Sequence, residues 1–277
     1  MYIMKYLSML FLVLIVSCNK ADTNITPPKK PQQLPQENIA LLVDNSLSMI
    51  AKDFEPNRIT VIKNVIKNII DQKKENQAFS IVVFAKNSYI LCPLTKDKNQ
   101  LLSAINNLDA GIMQLHPGTV FSNVILNGIR SISKESGNKS MILFSDGKES
   151  TKSYPLEIAV QDAIKNNIKI NTVMITPKDF TIMPISIDSK GEFQYQKLKA
   201  EPIDTIQLKK ISIETGGTFK LFYTKNAIQK FNFSQLLSEK GNSNIKKIPS
   251  KISDGKLNKI YREIEMSNDS LAVIFNR

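Results

Sequence analysis

The residues best suited to chemistry are a carboxylate and two hydroxyls at alternate positions, Asp44, Ser46 and Ser48. They follow the apolar run 39–43, which has the length and character of a strand buried on both faces. The spacing places hard oxygen atoms together where this strand ends. Such oxygens suit Mg²⁺, Ca²⁺ or Mn²⁺ and suit soft metals poorly. The segment therefore predicts a divalent-cation site, and the alternative is that Asp44 and the hydroxyls only cap a loop.

An alternation of strands and helices should position this loop. Apolar runs typical of strands occupy 79–85, 140–145 and 168–175, and helical spacing of apolar residues separates them. The run 140–145 again ends in a carboxylate, Asp146. This order predicts a doubly wound α/β fold, with a mostly parallel central sheet and helices on both faces. Ligands of such sheets bind beyond the carboxyl ends of the strands, where both acidic loops fall.

Two local signals refine the elements between these strands. Residues 89–94 predict a short edge strand, because Pro93 cannot donate a backbone hydrogen bond to a neighbour. Asp97 is expected to cap the helix that carries Leu101 and Ile105.

Three segments together resemble the metal-ion-dependent adhesion site of von Willebrand factor A (VWA) domains. They are, in chain order, Asp44-Asn45-Ser46-Leu47-Ser48, Gly118-Thr119 ahead of a helix, and Ser145-Asp146-Gly147 after a strand. A lone Asp-x-Ser-x-Ser motif is common, whereas the three loops in this order are much more specific. One departure is Ser122, which stands where the family usually has Gly. The resemblance implies a Rossmann-like VWA fold.

The resemblance also implies a role for each site residue. Ser46, Ser48 and Thr119 would offer hydroxyl oxygens to Mg²⁺ (or Mn²⁺/Ca²⁺), and Asp44 and Asp146 would act directly or through water. A carboxylate from a protein partner would complete the coordination, so that partner binding depends on the metal.

Further stretches resemble the BatA-type subfamily of bacterial aerotolerance proteins. They are 46–58, 182–191, 208–219 and 259–265, so the resemblance covers roughly residues 37–265, with an apparent insertion at 229–255. It implies other VWA or Bat-type membrane proteins as partners and, indirectly, a MoxR-type AAA+ ATPase. BatA-type proteins are usually held by flanking transmembrane helices, whereas the tail 271–277 is too short to span a bilayer.

The N-terminal residues predict a lipid anchor in place of those helices. Lys5, the apolar run 7–16 and Ser17-Cys18 resemble a bacterial lipoprotein signal, with lipidation at Cys18; an ordinary signal peptide with an incidental Cys is the alternative. The predicted organisation is a signal peptide at 1–17, a Pro-rich tether at 18–37, a VWA domain at 38–228, and an insertion with a C-terminal helix at 229–277.

Composition bounds the function classes. The net charge of +12 permits anionic partners, but no basic run is interleaved with aromatic residues and Trp is absent, so we expect no nucleic-acid partner. The leading prediction is a non-enzymatic, metal-dependent protein-binding module of the bacterial cell envelope. A surface adhesin for host or matrix proteins is the alternative. A metal-dependent hydrolase is less favoured, because His116 is the only histidine and no Gly-x-Ser-x-Gly is present.

Overall fold

A computed structural model describes residues 34–108, 118–147, 149, 154–238 and 253–275 of the 277-residue chain. Its strands are β1 (Glu37–Asp44), β2 (Gln77–Phe84), β3 (Ser88–Thr95), β4 (Asn138–Ser145), β5 (Ile168–Ile175), β6 (Phe180–Ile187), β7 (Phe193–Lys199) and β8 (Phe219–Phe222). Its helices are α1 (Arg58–Asp71), α2 (Lys98–Asn106), α3 (Phe121–Ile132), α4 (Leu156–Lys165), α5 (Ile206–Glu214), α6 (Lys225–Lys230), α7 (Ser234–Ser238) and α8 (Asp254–Phe275).

The main sheet has six strands in the order β3-β2-β1-β4-β5-β8. Every neighbouring pair is parallel except β2 and β3, which run antiparallel. The predicted doubly wound, mostly parallel sheet is therefore confirmed. The strand carrying Pro93 lies at the sheet edge, as predicted, where a missing backbone donor costs nothing.

Strand β1 lies at the centre of this sheet and is buried on both faces. Ile39, Leu41 and Val43 join one hydrophobic cluster, which includes the apolar sides of α1 and α2. Ala40 and Leu42 join a second cluster on the opposite face, formed with α3, α4 and α5. The near-continuous apolar run of β1 follows from this double burial.

Side-chain caps fix the starts of two helices on the first of these faces. Asn57 Oδ1 accepts the backbone N–H of Thr60 at 2.8 Å and so begins α1. Asp97 Oδ1 accepts the N–H of Asn99 at 2.8 Å and begins α2, which confirms the predicted cap.

The hairpin β6–β7 lies outside the strand–helix alternation predicted from the sequence. Its two antiparallel strands form a separate sheet, and they are joined by a turn in which Gly191 adopts φ +83°. The two strands are largely exposed, although β6 is rich in apolar residues.

The C-terminal part of the chain contributes to both layers. Phe233 and Leu236, within the range read as an insertion, are buried in the same cluster as Val43. Ile260 and Ile264 of α8 are buried in the other cluster. Residues 1–33 and 239–252 lie outside the described residues, and with them Cys18, the predicted signal peptide and most of the predicted tether. Among the described helices, none is long and apolar enough to cross a bilayer.

Candidate metal centre

The first predicted loop leaves the carboxyl end of β1 and folds back on Asp44. Asp44 Oδ1 accepts the backbone N–H of Ser46 at 2.9 Å, which orients the carboxylate toward the loop. The hydroxyls of Ser46 and Ser48 lie 3.0 Å apart. A 3-10 turn, Leu47–Ile50, follows and buries Met49 and Ile50 in the core. The loop is therefore held at its apolar end, and its hydroxyl oxygens lie together beside a buried carboxylate.

The third predicted loop leaves the neighbouring strand β4 and is tied to the first. Ser145 Oγ donates to Asp44 Oδ2 at 2.6 Å and accepts the N–H of Gly147 at 3.1 Å. Gly147 has φ +91°, and a Cβ there would collide with the Met174 side chain. A glycine is required directly after Asp146 because the backbone turns sharply against β5.

The second predicted loop leads into α3. Thr119 is buried, and the next residue, Val120, donates its N–H to Ala85 O at 3.0 Å just beyond the end of β2. Glu149, from the third loop, accepts the N–H of Phe121 at 3.2 Å. The start of α3 is thus joined to both neighbouring segments at the carboxyl edge of the sheet. Ser122, where the family usually has Gly, has a buried hydroxyl with no hydrogen-bond partner in the described part of the chain.

A buried guanidinium that sequence reasoning assigned no role completes the cluster. Arg58 Nη1 donates to Asp146 Oδ2 at 2.7 Å, and Nε and Nη2 donate to the two oxygens of Asp53 at 2.8 and 2.6 Å. Nη1 also reaches Ser48 O at 3.4 Å. Arg58 therefore connects the first and third loops in a bidentate, charge-assisted network.

Burial dominates the electrostatics of Asp44, although the Arg58 guanidinium interacts with its charge. The residue is fully buried, and burial, followed by the charge of Asp146, raises its pKa from the ordinary 3.8 to about 7. Hydrogen bonds from Ser145 and Ser46 act in the opposite direction and are outweighed.

The donor set fits a hard divalent cation. Two oxygens at right angles about a Mg²⁺ ion, each about 2.1 Å from it, lie about 3.0 Å apart, which is the separation of the Ser46 and Ser48 hydroxyls. The carboxylates of Asp44, Asp53 and Asp146 face one guanidinium, so a divalent cation would bring the cluster to neutrality. Within the described residues, no three His, Cys, Asp or Glu side chains form a metal-binding group. The first loop adds the neutral hydroxyl oxygens of Ser46 and Ser48 to these carboxylates.

The raised pKa of Asp44 predicts a pH dependence for the metal-free protein. Native Asp44 keeps its proton to about pH 7, whereas the unfolded chain releases it near 3.8, so the native state binds more protons in this window. The contribution of Asp44 to the free energy of unfolding is complete below pH 3.8 and is lost as the pH rises through about 7. The loss amounts to up to about 4 kcal/mol. Urea denaturation in EDTA should show the free energy of unfolding falling between about pH 4 and 7.

Two variants isolate Asp44 as the source of this slope. Asp44→Asn should flatten it, because the titrating group is gone. Asp71→Asn removes an exposed carboxylate on α1 and should leave the slope intact. A slope that survives in Asp44→Asn would assign the effect to another group.

The mostly parallel sheet flanked by helices is a fold of the von Willebrand factor type A kind. Residues 39–149 match the sequence profile of this domain. Among solved structures, similar folds include the conserved hypothetical protein BatB from Bacteroides thetaiotaomicron, which is 20% identical with a TM-score of 0.60 over 73% of this chain and 97% of that one. An aerotolerance-related membrane protein from Bacteroides fragilis is 21% identical, with a TM-score of 0.56 over 70% and 95% of the two chains. These likenesses show the shared fold.

Curated relatives extend the likeness beyond the profile match. A Borreliella burgdorferi protein is 27% identical over 247 residues, which are 87% of this chain and 70% of that protein. A UPF0353 protein from Mycolicibacterium paratuberculosis is 26% identical over 70% of this chain and 58% of its own length. A mussel byssus protein with a zinc-occupied adhesion-site motif shares the fold at 18% identity and a TM-score of 0.53, over 70% of this chain and 43% of that one.

Proposed function

We propose that this chain is a non-enzymatic module that binds a protein partner through a divalent cation. Asp44, Ser46, Ser48, Thr119 and Asp146 would hold Mg²⁺ (or Mn²⁺/Ca²⁺), and the partner would supply a carboxylate to it. The observation that carries the proposal is the pair of hydroxyls 3.0 Å apart beside a buried carboxylate whose pKa is raised to about 7. A bound cation would favour the ionised form of this carboxylate, which burial disfavours.

The protein's own residues set the direction from which a partner arrives. Asp44 is inaccessible, whereas Ser48 is partly exposed and Leu47 between the two serines is 52% exposed. The first loop thus reaches the surface at Leu47 and Ser48, while Asp44 and Ser46 stay buried. A partner carboxylate would approach over Leu47 and meet the cation on the side that the buried acids do not occupy.

The proposed setting is the bacterial cell envelope, with the chain anchored by lipid on Cys18. The support is the lipoprotein-like segment at 15–18 and the likeness of the fold to a protein described as an aerotolerance-related membrane protein. A BatA-like role in an envelope complex or in stress tolerance follows. Its partners would be other Bat-type membrane proteins and, through a membrane-spanning partner, a MoxR-type AAA+ ATPase.

Affinity capture from solubilised bacterial membranes tests metal-dependent partner binding. The wild-type chain in Mg²⁺ should retain a defined set of proteins that is lost in EDTA and with Asp44→Ala. Asp71→Ala, an exposed acid remote from the loops in sequence, serves as the matched control and should retain the set. Equal recovery under all four conditions would remove the proposed function.

A further inference from the structure

The β6–β7 hairpin is attached directly to the first metal loop. The N–H of Lys52 donates to Ile182 O at 2.9 Å, and Thr181 Oγ1 donates to Asp53 Oδ2 at 2.6 Å. Arg58 Nη2 donates to the same Thr181 oxygen at 3.2 Å while Nη1 binds Asp146. The hairpin is therefore positioned by the residues that position the third loop, and a partner seated at the metal would lie beside it.

One face of the hairpin is apolar and cationic. Directly paired residues of an antiparallel ladder place their side chains on the same face, and the register pairs Ile182 with Lys197 and Pro184 with Tyr195. Together with the next pair, Phe180 and Lys199, these residues form what we call the hairpin face. Phe180 is 54% exposed, so the face presents apolar surface beside the metal loop.

The hairpin face borders a groove of about 750 Å³ between the first loop and β8. Phe180 and Ile182 of β6 line this groove, together with Leu221 of β8 and Tyr223 directly after it. This volume accommodates several side chains of an extended segment. An exposed apolar groove next to a ligand site marks an interaction surface.

Three lysine amines give this groove a preference for acidic ligands. The amines of Lys52, Lys178 and Lys197 lie over the rings of Tyr195, Tyr223 and Phe180 at 4.0, 4.8 and 4.6 Å. In the part of the chain that the structure describes, none of the three amines forms an ion pair with a carboxylate.

The acidic residues of the groove do not cancel this preference for acidic ligands. Asp53 is engaged by Arg58, and Glu55 and Asp179 also line the groove, beyond ion-pair distance of the three amines. The amines are therefore positioned on apolar platforms and remain able to pair with acidic groups of a ligand.

We infer that the hairpin face is the second half of the partner-binding surface. Its occupant is an extended protein segment that combines acidic and apolar side chains, one of whose carboxylates reaches the metal; the inference rests on the proposed function. The apolar side chains enter the groove, and the flanking acids pair with Lys52, Lys178 and Lys197. The 3-10 turn Leu47–Ile50, which carries the exposed Leu47, contacts β6 and so joins the two halves.

The charges at the tip of the hairpin favour a protein over an anionic membrane. The turn carries Asp188 and Glu192 against a single lysine, Lys190. Asp188 accepts the N–H groups of Lys190 and Glu192, both at 2.9 Å, which favours its ionised form. A tip inserted toward anionic headgroups would bring these carboxylates against like charge.

Selection of phage-displayed random peptides on the full chain in Mg²⁺ tests the inference. We expect the enriched peptides to be rich in Asp or Glu together with Phe, Ile or Leu. The double variant Phe180→Ser/Lys197→Glu should bind the enriched peptide at least about tenfold more weakly by fluorescence anisotropy. The matched control Ile213→Ser/Lys259→Glu changes exposed residues on α5 and α8 and should stay within about twofold.

The other possible results of this experiment would each contradict the inference. No enrichment, enrichment of basic peptides, or unchanged affinity in the Phe180→Ser/Lys197→Glu variant would overturn the inference. Binding to phosphatidylserine vesicles that this variant abolishes would also overturn it, because the hairpin face would then be a membrane-binding surface.

Repeating the peptide titration in EDTA and with Asp44→Asn separates this inference from the proposed function. Affinity that depends on the hairpin face but not on the metal would refute the proposed function and support the hairpin face as a binding surface. Affinity that depends on the metal but not on the hairpin face would support the proposed function and refute the inference.

Discussion

Replacement of Arg58 by Ala is expected to destabilise the protein by about 3–5 kcal/mol, because it leaves the carboxylates of Asp53 and Asp146 buried without their cation. The side chains in both ion pairs are at most 5% exposed, so water cannot replace the guanidinium without rearrangement. Urea denaturation of the metal-free protein measures the loss. Mg²⁺ should recover part of it, since the variant leaves the site with one less positive charge.

Two further variants make this result interpretable. Arg58→Lys keeps the charge but cannot bind both oxygens of Asp53 in a fork, so an intermediate loss is expected and the protein stays measurable if Arg58→Ala fails to fold. Arg130→Ala removes an arginine from a partly exposed ion pair with Glu265 and should cost no more than about 1 kcal/mol. Equal losses for Arg58→Ala and Arg130→Ala would show that the buried network does not hold the loops together.

Mg²⁺ at about one hundred times its dissociation constant should raise the free energy of unfolding by about 2.7 kcal/mol. The reason is that the folded chain alone assembles Asp44, the serine hydroxyls, Thr119 and Asp146 at one edge of the sheet. Such a gain corresponds to an increase in melting temperature of about 5–10 °C for a domain of this size. Differential scanning calorimetry with and without Mg²⁺ measures it directly.

Removal of the proposed ligands should abolish this response without unfolding the chain. Ser46→Ala with Ser48→Ala removes two neutral donors, and Asp44→Asn removes the buried charge. Ser103→Ala removes an exposed hydroxyl on α2 and should respond to Mg²⁺ as the wild type does. Full Mg²⁺ stabilisation in the Ser46→Ala/Ser48→Ala variant would place the cation elsewhere.

The sheet was predictable because its signals are local. The central strand β1 is buried on both faces, so its sequence is a continuous apolar run that ends at an acid. Caps such as Asp97 act over two or three residues and can be recognised from the same short window. The site residues share this property in part, since each occupies a loop that begins where a recognisable element ends.

Arg58 and the hairpin face depend instead on contacts distant in sequence. Arg58 meets Asp146, 88 residues away, and nothing near position 58 distinguishes a buried arginine from a solvated one at a helix start. Thr181 reaches Asp53 across 128 residues. Asp53, Pro56, Asn57 and the stretch 182–191 belong to the resemblance to BatA-type proteins, but a resemblance assigns no contact. Only the fold shows that these segments meet at the metal loop.

The position of the site at the end of β1 has a mechanical consequence. The chain enters this strand at Glu37 and leaves it at Asp44, about 23 Å away along a parallel strand. Tension between the segment before Glu37 and a partner held at the metal would run along the strand axis. It would shear the hydrogen bonds to β2 and β4 together, because both ladders extend along nearly the whole strand. Bonds loaded in parallel share the force, whereas bonds peeled from one end break in turn, so β1 is suited to carry tension between the predicted tether and a partner at the proposed metal site.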